Sequence, residues 1–176
     1  MKDMNGEIPP RAAHDSDAAQ WIALPDEAAT LDFAARLARA LPAAIAPLVV
    51  YLHGDLGAGK TTLARGMLQA MGERGAVRSP TYALIAEYEP EGRRVLHLDL
   101  YRLGDPEELL ALGLADYLPG SHLWLVEWPE RGETGGLPPA DAHVHLEPSG
   151  NARQVRLVAG SPSGARWLQA LATDFG

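Results

Sequence analysis

Cysteine is missing from all 176 residues, which excludes disulfides, zinc–thiolate sites, iron–sulfur clusters and a cysteine nucleophile. Lysine is nearly missing too: Lys2 and Lys60 stand against thirteen arginines. Basic residues never run longer than the Arg93-Arg94 pair, and acids outnumber bases 23 to 15, for a net charge of -8. Such a chain lacks the basic stripe that would neutralise many phosphates, although a single phosphate pocket can sit inside an acidic protein. Long apolar runs are also absent. The stretch Leu48–Leu52 is far short of the roughly 20 residues that span a bilayer, so no membrane association is expected. Residues 1–17 are polar, with none of the apolar core of a signal peptide, and the cytoplasm is the expected compartment.

What remains has ordinary globular composition, 47% apolar and 22% charged, at a length that suits one domain. Residues 1–18, with Gly6 and Pro9-Pro10, read as a disordered tail before a domain over residues 19–176. A short strand is predicted at Gln20–Leu24. Asp26 and Glu27 then open a helix with Leu31, Ala34, Ala35, Ala38 and Leu41 on one face, ended by Pro42. Leu48–Leu52 reads as a strand buried on both faces, followed by a glycine-rich turn and a helix from Lys60 to Met71. Strands at Tyr82–Glu89 and Arg94–Asp99 flank a Pro90-Glu91-Gly92 turn. Asp105-Pro106-Glu107-Glu108 has the form of a helix start. Leu123–Glu127 reads as another buried strand, and residues 132–139 as a loop. A hairpin (Ala142–Glu147 with Gln154–Val158) and a final helix after Ser161-Pro162 complete the chain. Strands alternate with helices early and pair as hairpins late. The expected fold is therefore a single-domain α/β fold with a mixed, mostly parallel sheet flanked by helices, which the glycine-rich turn leading into Lys60-Thr61 assigns to the P-loop NTPase fold.

Gly54-Asp55-Leu56-Gly57-Ala58-Gly59-Lys60-Thr61 matches G-x-x-x-x-G-K-[ST] with a buried strand before it and a helix after it. Glycines let the backbone curl around an anion with N–H groups pointing inward, and the helix N-terminus adds partial positive charge. Asp55, Leu56, Gly57, Ala58, Gly59, Lys60, Thr61 and Thr62 are accordingly the candidate phosphate-binding residues. Lys60 is placed to reach the β- and γ-phosphates and Thr61 to ligate Mg²⁺. A sequence that uses Arg nearly everywhere else keeps Lys where a compact point charge is needed.

Such a site needs a strand-end carboxylate, and there are two, Asp99 and Glu127; spacing alone does not rank them. Ser79-Pro80-Thr81-Tyr82, between the loop's helix and the next strand, lies where NTPases place a hydroxyl that senses the γ-phosphate. His143 and His145 share one strand face, an arrangement more often exposed or hydrogen-bonded than metal-binding. Trp128 reads as packing sooner than as substrate stacking, and His97, on the face of Asp99, is equally well explained by burial.

The order GDLGAGKTTLARG, SPTYALIAEY, HLDLYRL with DPEEL, and LVEWPER resembles the bacterial TsaE family from Gly54 to Arg131, and more loosely at LPDEAAT (Leu24–Thr30). The resemblance implies a small ATPase that binds ATP or ADP with Mg²⁺. Its hydrolysis would sustain a TsaD–TsaB complex forming N6-threonylcarbamoyladenosine on tRNA, with tRNA contacted only through that complex. By motif it implies that Lys60 and Thr61 bind phosphate and metal, that Glu127 completes the metal site, and that Asp99 assists hydrolysis. Ser79–Tyr82, with Thr81, would sense the nucleotide, and Glu27 and Arg153 would border it.

Two other readings stay open, a small-molecule P-loop kinase and a nucleotide-dependent binding module without hydrolysis. A kinase lid is poorly served by Arg93-Arg94, and Asp99 and Glu127 speak against a site that has lost all hydrolysis. A guanine-reading Asn-Lys-x-Asp signature is impossible, since Asn5 and Asn151 are the only asparagines and neither precedes Lys.

Overall fold

The computed structural model describes residues 20–43, 47–132 and 135–173, so the expected tail over residues 1–18 lies outside the described residues. Three strands carry the centre: β2 (Leu48–His53), β4 (Val95–Asp99) and β5 (Leu123–Glu127). β4 and β5 are buried along their whole length, as near-continuous apolar runs require when both sheet faces are covered. Together with β1 (Ile22–Leu24), β3 (Ile85–Tyr88), β6 (Ala142–Ser149) and β7 (Ala152–Ala159) they form one seven-stranded sheet of order β1-β7-β6-β2-β5-β4-β3. β2, β4, β5 and β6 are mutually parallel, and β1 shares their direction through two antiparallel steps. β3 and β7 run against them, giving the mixed, mostly parallel sheet.

Alternate residues of the central strands feed two cores. On one face Val50, Leu52, Leu123 and Leu125 pack against α1 (Glu27–Arg39), α2 (Lys60–Ala70) and α4 (Pro162–Thr173) through Phe33, Leu37, Leu63, Met67, Trp167 and Leu171. On the other face Val49, Leu96, Leu98, Trp124 and Val126 meet Leu109 of α3 (Glu107–Ala111) and Leu114. The sheet is thus sandwiched between helices, the arrangement parallel strands need.

Several local signals act as their chemistry dictates. The Asp26 carboxylate accepts the Ala29 N–H at 2.7 Å and caps α1. Asp105 and Glu108 form a reciprocal capping box ahead of α3: Asp105 Oδ1 accepts the Glu107 N–H at 2.9 Å, and Glu108 Oε1 accepts the Asp105 N–H at 3.1 Å. Ser161 caps α4 by accepting the Gly164 N–H at 3.1 Å.

Two expectations need correction. The buried face of α1 is Thr30, Phe33, Ala34, Leu37 and Ala38, one residue back from the anticipated stripe, because Phe33 and Leu37 offer more area than Leu31 and Ala35. The strand expected from Tyr82 begins only at Ile85. Residues 81–83 turn instead, with Leu84 at φ 62° and its N–H on the Pro80 carbonyl at 2.8 Å. The turn's hydroxyls are engaged elsewhere, as the site shows.

Candidate nucleotide site

From the end of β2 the chain passes through Gly54 to Gly59 into α2. Gly54 and Gly59 adopt φ of 141° and 104°, values that strain a residue with a side chain. A Cβ on Gly54 would lie 2.4 Å from the Leu146 carbonyl oxygen, and one on Gly59 would lie 2.6 Å from Arg153 Nη1. Glycine at these two positions lets the loop pass between β6 and the Arg153 side chain. No side chain caps α2, so its first N–H groups, which have no intrahelical acceptor, face the loop.

Lys60 turns back into the loop, 4% exposed. Its Nζ donates to the carbonyls of Gly54 (2.5 Å) and Asp55 (3.0 Å), and lies 4.0 Å from the ring centre of Trp128. Burial pushes its ammonium below the ordinary lysine range, against the opposing pull of Glu127, Asp99, Glu130 and Asp55.

The two strand-end acids sit side by side, Asp99 paired in register with Glu127 across β4 and β5. Both are almost fully buried, on the sheet face that carries α2. Thr61 Oγ1 donates to Glu127, 2.9 Å from Oε1 and 3.0 Å from Oε2, and the His97 ring lies with Nε2 2.8 Å from the same Oε1. Asp99 holds the other side. Its Oδ2 accepts the hydroxyls of Ser79 and of Thr81, the latter at 3.3 Å, and its Oδ1 accepts the Tyr101 N–H at 3.0 Å. This network is what bends residues 79–84 away from strand geometry: Ser79 and Thr81 are drawn onto Asp99.

These groups line a cleft of about 590 Å³ that brings together Leu56, Gly57, Gly59, Lys60, Thr61, Thr62, Thr81, Asp99, Glu127 and Arg153 of the sequence-based candidates. Ser79, Tyr101, Arg102 and Trp128 complete the lining. Trp128, read from the sequence as packing, forms a wall of the cleft. Its backbone is left-handed at φ 57° and its ring lies 5.0 Å from that of Tyr101. Asp55 contributes its carbonyl to Lys60, and Ala58 is buried beneath the loop; neither side chain lines the cleft. Glu27 also lies outside the lining, in an exposed ion pair with Arg65 of α2 at 2.6 Å. Tyr101 and Arg102 belong to the HLDLYRL motif, but no individual role is read for them from the sequence; they reach the cleft by following Asp99 at the end of β4.

His143 and His145 lie apart from the cleft, stacked with His53 at ring distances of 5.2 and 4.6 Å. His53 Nε2 and His143 Nδ1 are 2.9 Å apart, so these imidazoles satisfy one another. Burial, aided by His145, His143 and Lys60, lowers the His53 pKa to about 4.

A buried parallel strand, a glycine turn and a helix opening on Lys60-Thr61, faced by acids at the ends of two neighbouring strands, define a protein of the P-loop α/β class. The family model for threonylcarbamoyl adenosine biosynthesis protein TsaE matches residues 24–156, and the chain belongs to that family. It is 45% identical over 149 residues to the tRNA threonylcarbamoyladenosine biosynthesis protein TsaE of Haemophilus influenzae, covering 84% of this chain and 94% of that one. The protein of the same name from Nostoc is 44% identical over 115 residues, 62% of this chain and 68% of its own. Among solved structures, the crystal structure of Bacillus subtilis YdiB superposes with a TM-score of 0.74 at 26% identity, over 89% of this chain and 96% of that one.

Proposed function

We propose that this chain binds and hydrolyses ATP with Mg²⁺ in support of a TsaD–TsaB-like complex that forms N6-threonylcarbamoyladenosine on tRNA, in the cytoplasm. The family supports the pathway. One observation supports the chemistry: Glu127 is in register with Asp99, with Thr61 on the former and the Ser79–Thr81 turn on the latter, at the mouth of the Lys60 loop.

The residues present fit this cofactor set. Among the described residues no group of three or more His, Asp or Glu side chains is arranged to hold a metal by itself. One carboxylate and one hydroxyl, Glu127 and Thr61, are instead the sparse hard-oxygen set that suits Mg²⁺ when phosphates and water supply the rest. Mg²⁺ bound there would neutralise charge developing on the phosphates. Lys60 exchanges its two carbonyl acceptors for phosphate oxygens, carrying a desolvated positive charge to the reacting end. Arg102 and Arg153 flank the cleft with further positive charge. Asp99, oriented by three donors, receives the proton of the attacking water or directs that water. The Ser79–Thr81 turn, tied to the same carboxylate, senses whether a γ-phosphate is present. Contact with tRNA is made through the partner complex rather than by this acidic chain.

Calorimetric titration with Mg²⁺–ATP tests the site. The unaltered chain should bind, and Lys60→Ala should lose most of that affinity, about a hundredfold, while circular dichroism shows it still folded. Equal affinity in the two proteins would remove the site assignment.

A further inference from the structure

We propose that His97 is a positioning residue that fixes the Glu127 carboxylate for divalent-cation binding. This rests on the reading of Glu127 as the Mg²⁺-holding carboxylate.

His97 is fully buried in β4, between Leu96 and Leu98, which belong to the apolar core of the opposite sheet face. Its own side chain points to the face of Asp99. There the parallel register sets His97 across from Leu125, which makes Glu127 its diagonal neighbour on β5. Nε2 lies 2.8 Å from Glu127 Oε1, whereas Nδ1 is buried with no hydrogen-bond partner. A carboxylate oxygen can only accept, so Nε2 carries the hydrogen and donates it.

The cost of this arrangement identifies its purpose. A leucine would fill the position without leaving a buried nitrogen unpaired, as Leu96 and Leu98 do on the same strand. The single bond that the imidazole makes is to Glu127. That carboxylate sits on a flexible stem, close enough to Lys60 to pull on its ammonium. With Thr61 donating to both carboxylate oxygens and His97 holding Oε1 from the strand side, the group is fixed from two directions. Were the Thr61 hydroxyl turned to a cation, His97 would still hold the carboxylate from the strand side. Partners of this outer kind typically change metal affinity by tenfold to a hundredfold.

The test compares ADP affinity in Mg²⁺ and in EDTA by calorimetry. His97→Leu should match the unaltered chain in EDTA within about twofold, and lose about tenfold or more of the Mg²⁺-dependent gain. His97→Gln, whose amide nitrogen can occupy the Nε2 position, should recover most of it. On a Glu127→Ala background, adding His97→Leu should cost nothing further, because the partner is already gone.

An undiminished Mg²⁺-dependent gain in His97→Leu, or an equal further loss on the Glu127→Ala background, would overturn the role. No Mg²⁺-dependent gain in the unaltered chain would overturn the reading of Glu127, and the role with it. A nucleotide-free measurement covers the case in which His97→Leu fails to fold. In the ¹⁵N-labelled unaltered protein a slowly exchanging imidazole Nε2–H should appear, vanish in His97→Gln and move in Glu127→Gln. Its absence would also overturn the role.

Discussion

Glu127 and Asp99 look alike in the sequence, each an acid closing an apolar strand, yet their surroundings give them different work. Glu127 receives Thr61 of the glycine loop and His97 from the neighbouring strand, the contacts on which its proposed role toward the cation rests. Asp99 receives the Ser79 and Thr81 hydroxyls and the Tyr101 N–H, so it belongs with the turn over the cleft. Glu127→Ala should therefore raise the Mg²⁺ concentration needed for nucleotide binding by about tenfold or more. Asp99→Ala should bind Mg²⁺–ATP nearly as well and lower the turnover rate by about 10²-fold or more. Metal titrations beside steady-state kinetics check both, and the reverse pattern would exchange the two roles. His53 yields a prediction about stability. Its pKa of about 4 in the folded chain lies below the 6.5 of the unfolded one, so between these values the unfolded chain holds more protons. Stability is then complete above pH 6.5 and falls as the pH drops towards 4. The ring is partly open to solvent, so the loss assigned to His53 is about 1–2 kcal/mol. Thermal melts across that range should flatten in His53→Gln; an unchanged slope would assign the acid sensitivity elsewhere.

The Ser79–Tyr82 turn shows how far sequence reasoning reaches and where it stops. Its place between α2 and the next strand was legible, because the Lys60–Met71 pattern and Pro80 punctuate the chain locally. That the turn would shorten β3 to Ile85–Tyr88 was not, because the acceptor, Asp99, lies 20 residues on from Ser79 and reaches it only once β3 and β4 pair. The same limit applies to His97 and Glu127, which lie 30 residues apart and are joined by strand register. The sequence presents Trp128 as packing for a related reason, since nothing local foretells a left-handed backbone that turns its ring towards Lys60. By contrast, the loop, both strand-end acids and the capping box of α3 follow from neighbours within a few residues, and all lie where expected. The turn has its own consequence. Thr81 bonds Asp99 and Ser79, while Tyr82 at its tip is 85% exposed beneath the Arg102 guanidinium, 4.6 Å from its ring centre. A γ-phosphate that competes for these hydroxyls would move Tyr82 with them. Thr81→Ala should keep ADP affinity within about twofold, lose most preference for ATP, and fail to respond to the partner complex. Preserved discrimination together with a preserved response would leave the turn a structural element.

Over the whole molecule, the charge balance bears on the proposed recruitment through protein rather than nucleic acid. With a net charge of -8 and no basic stripe, the isolated chain should bind tRNA only weakly at roughly 0.15 M salt. Filter binding or anisotropy checks this, and tight binding would contradict recruitment through protein contacts. Leu56 of the cleft lining is 72% exposed, and Tyr82, next to the lining residue Thr81, is 85% exposed, so a partner seated there could read the loop and the turn together. Hydrolysis by the chain alone is then expected to be slow, with the complete arrangement reached in the assembly. The most direct test measures phosphate release from Mg²⁺–ATP, for the unaltered chain and for Lys60→Ala, each alone and with a TsaD–TsaB complex and tRNA substrate. A slow rate that rises with the complex and disappears in Lys60→Ala is the predicted result. Phosphate release that is equal in the two proteins, or absent from the unaltered chain even with the complex present, would contradict the account.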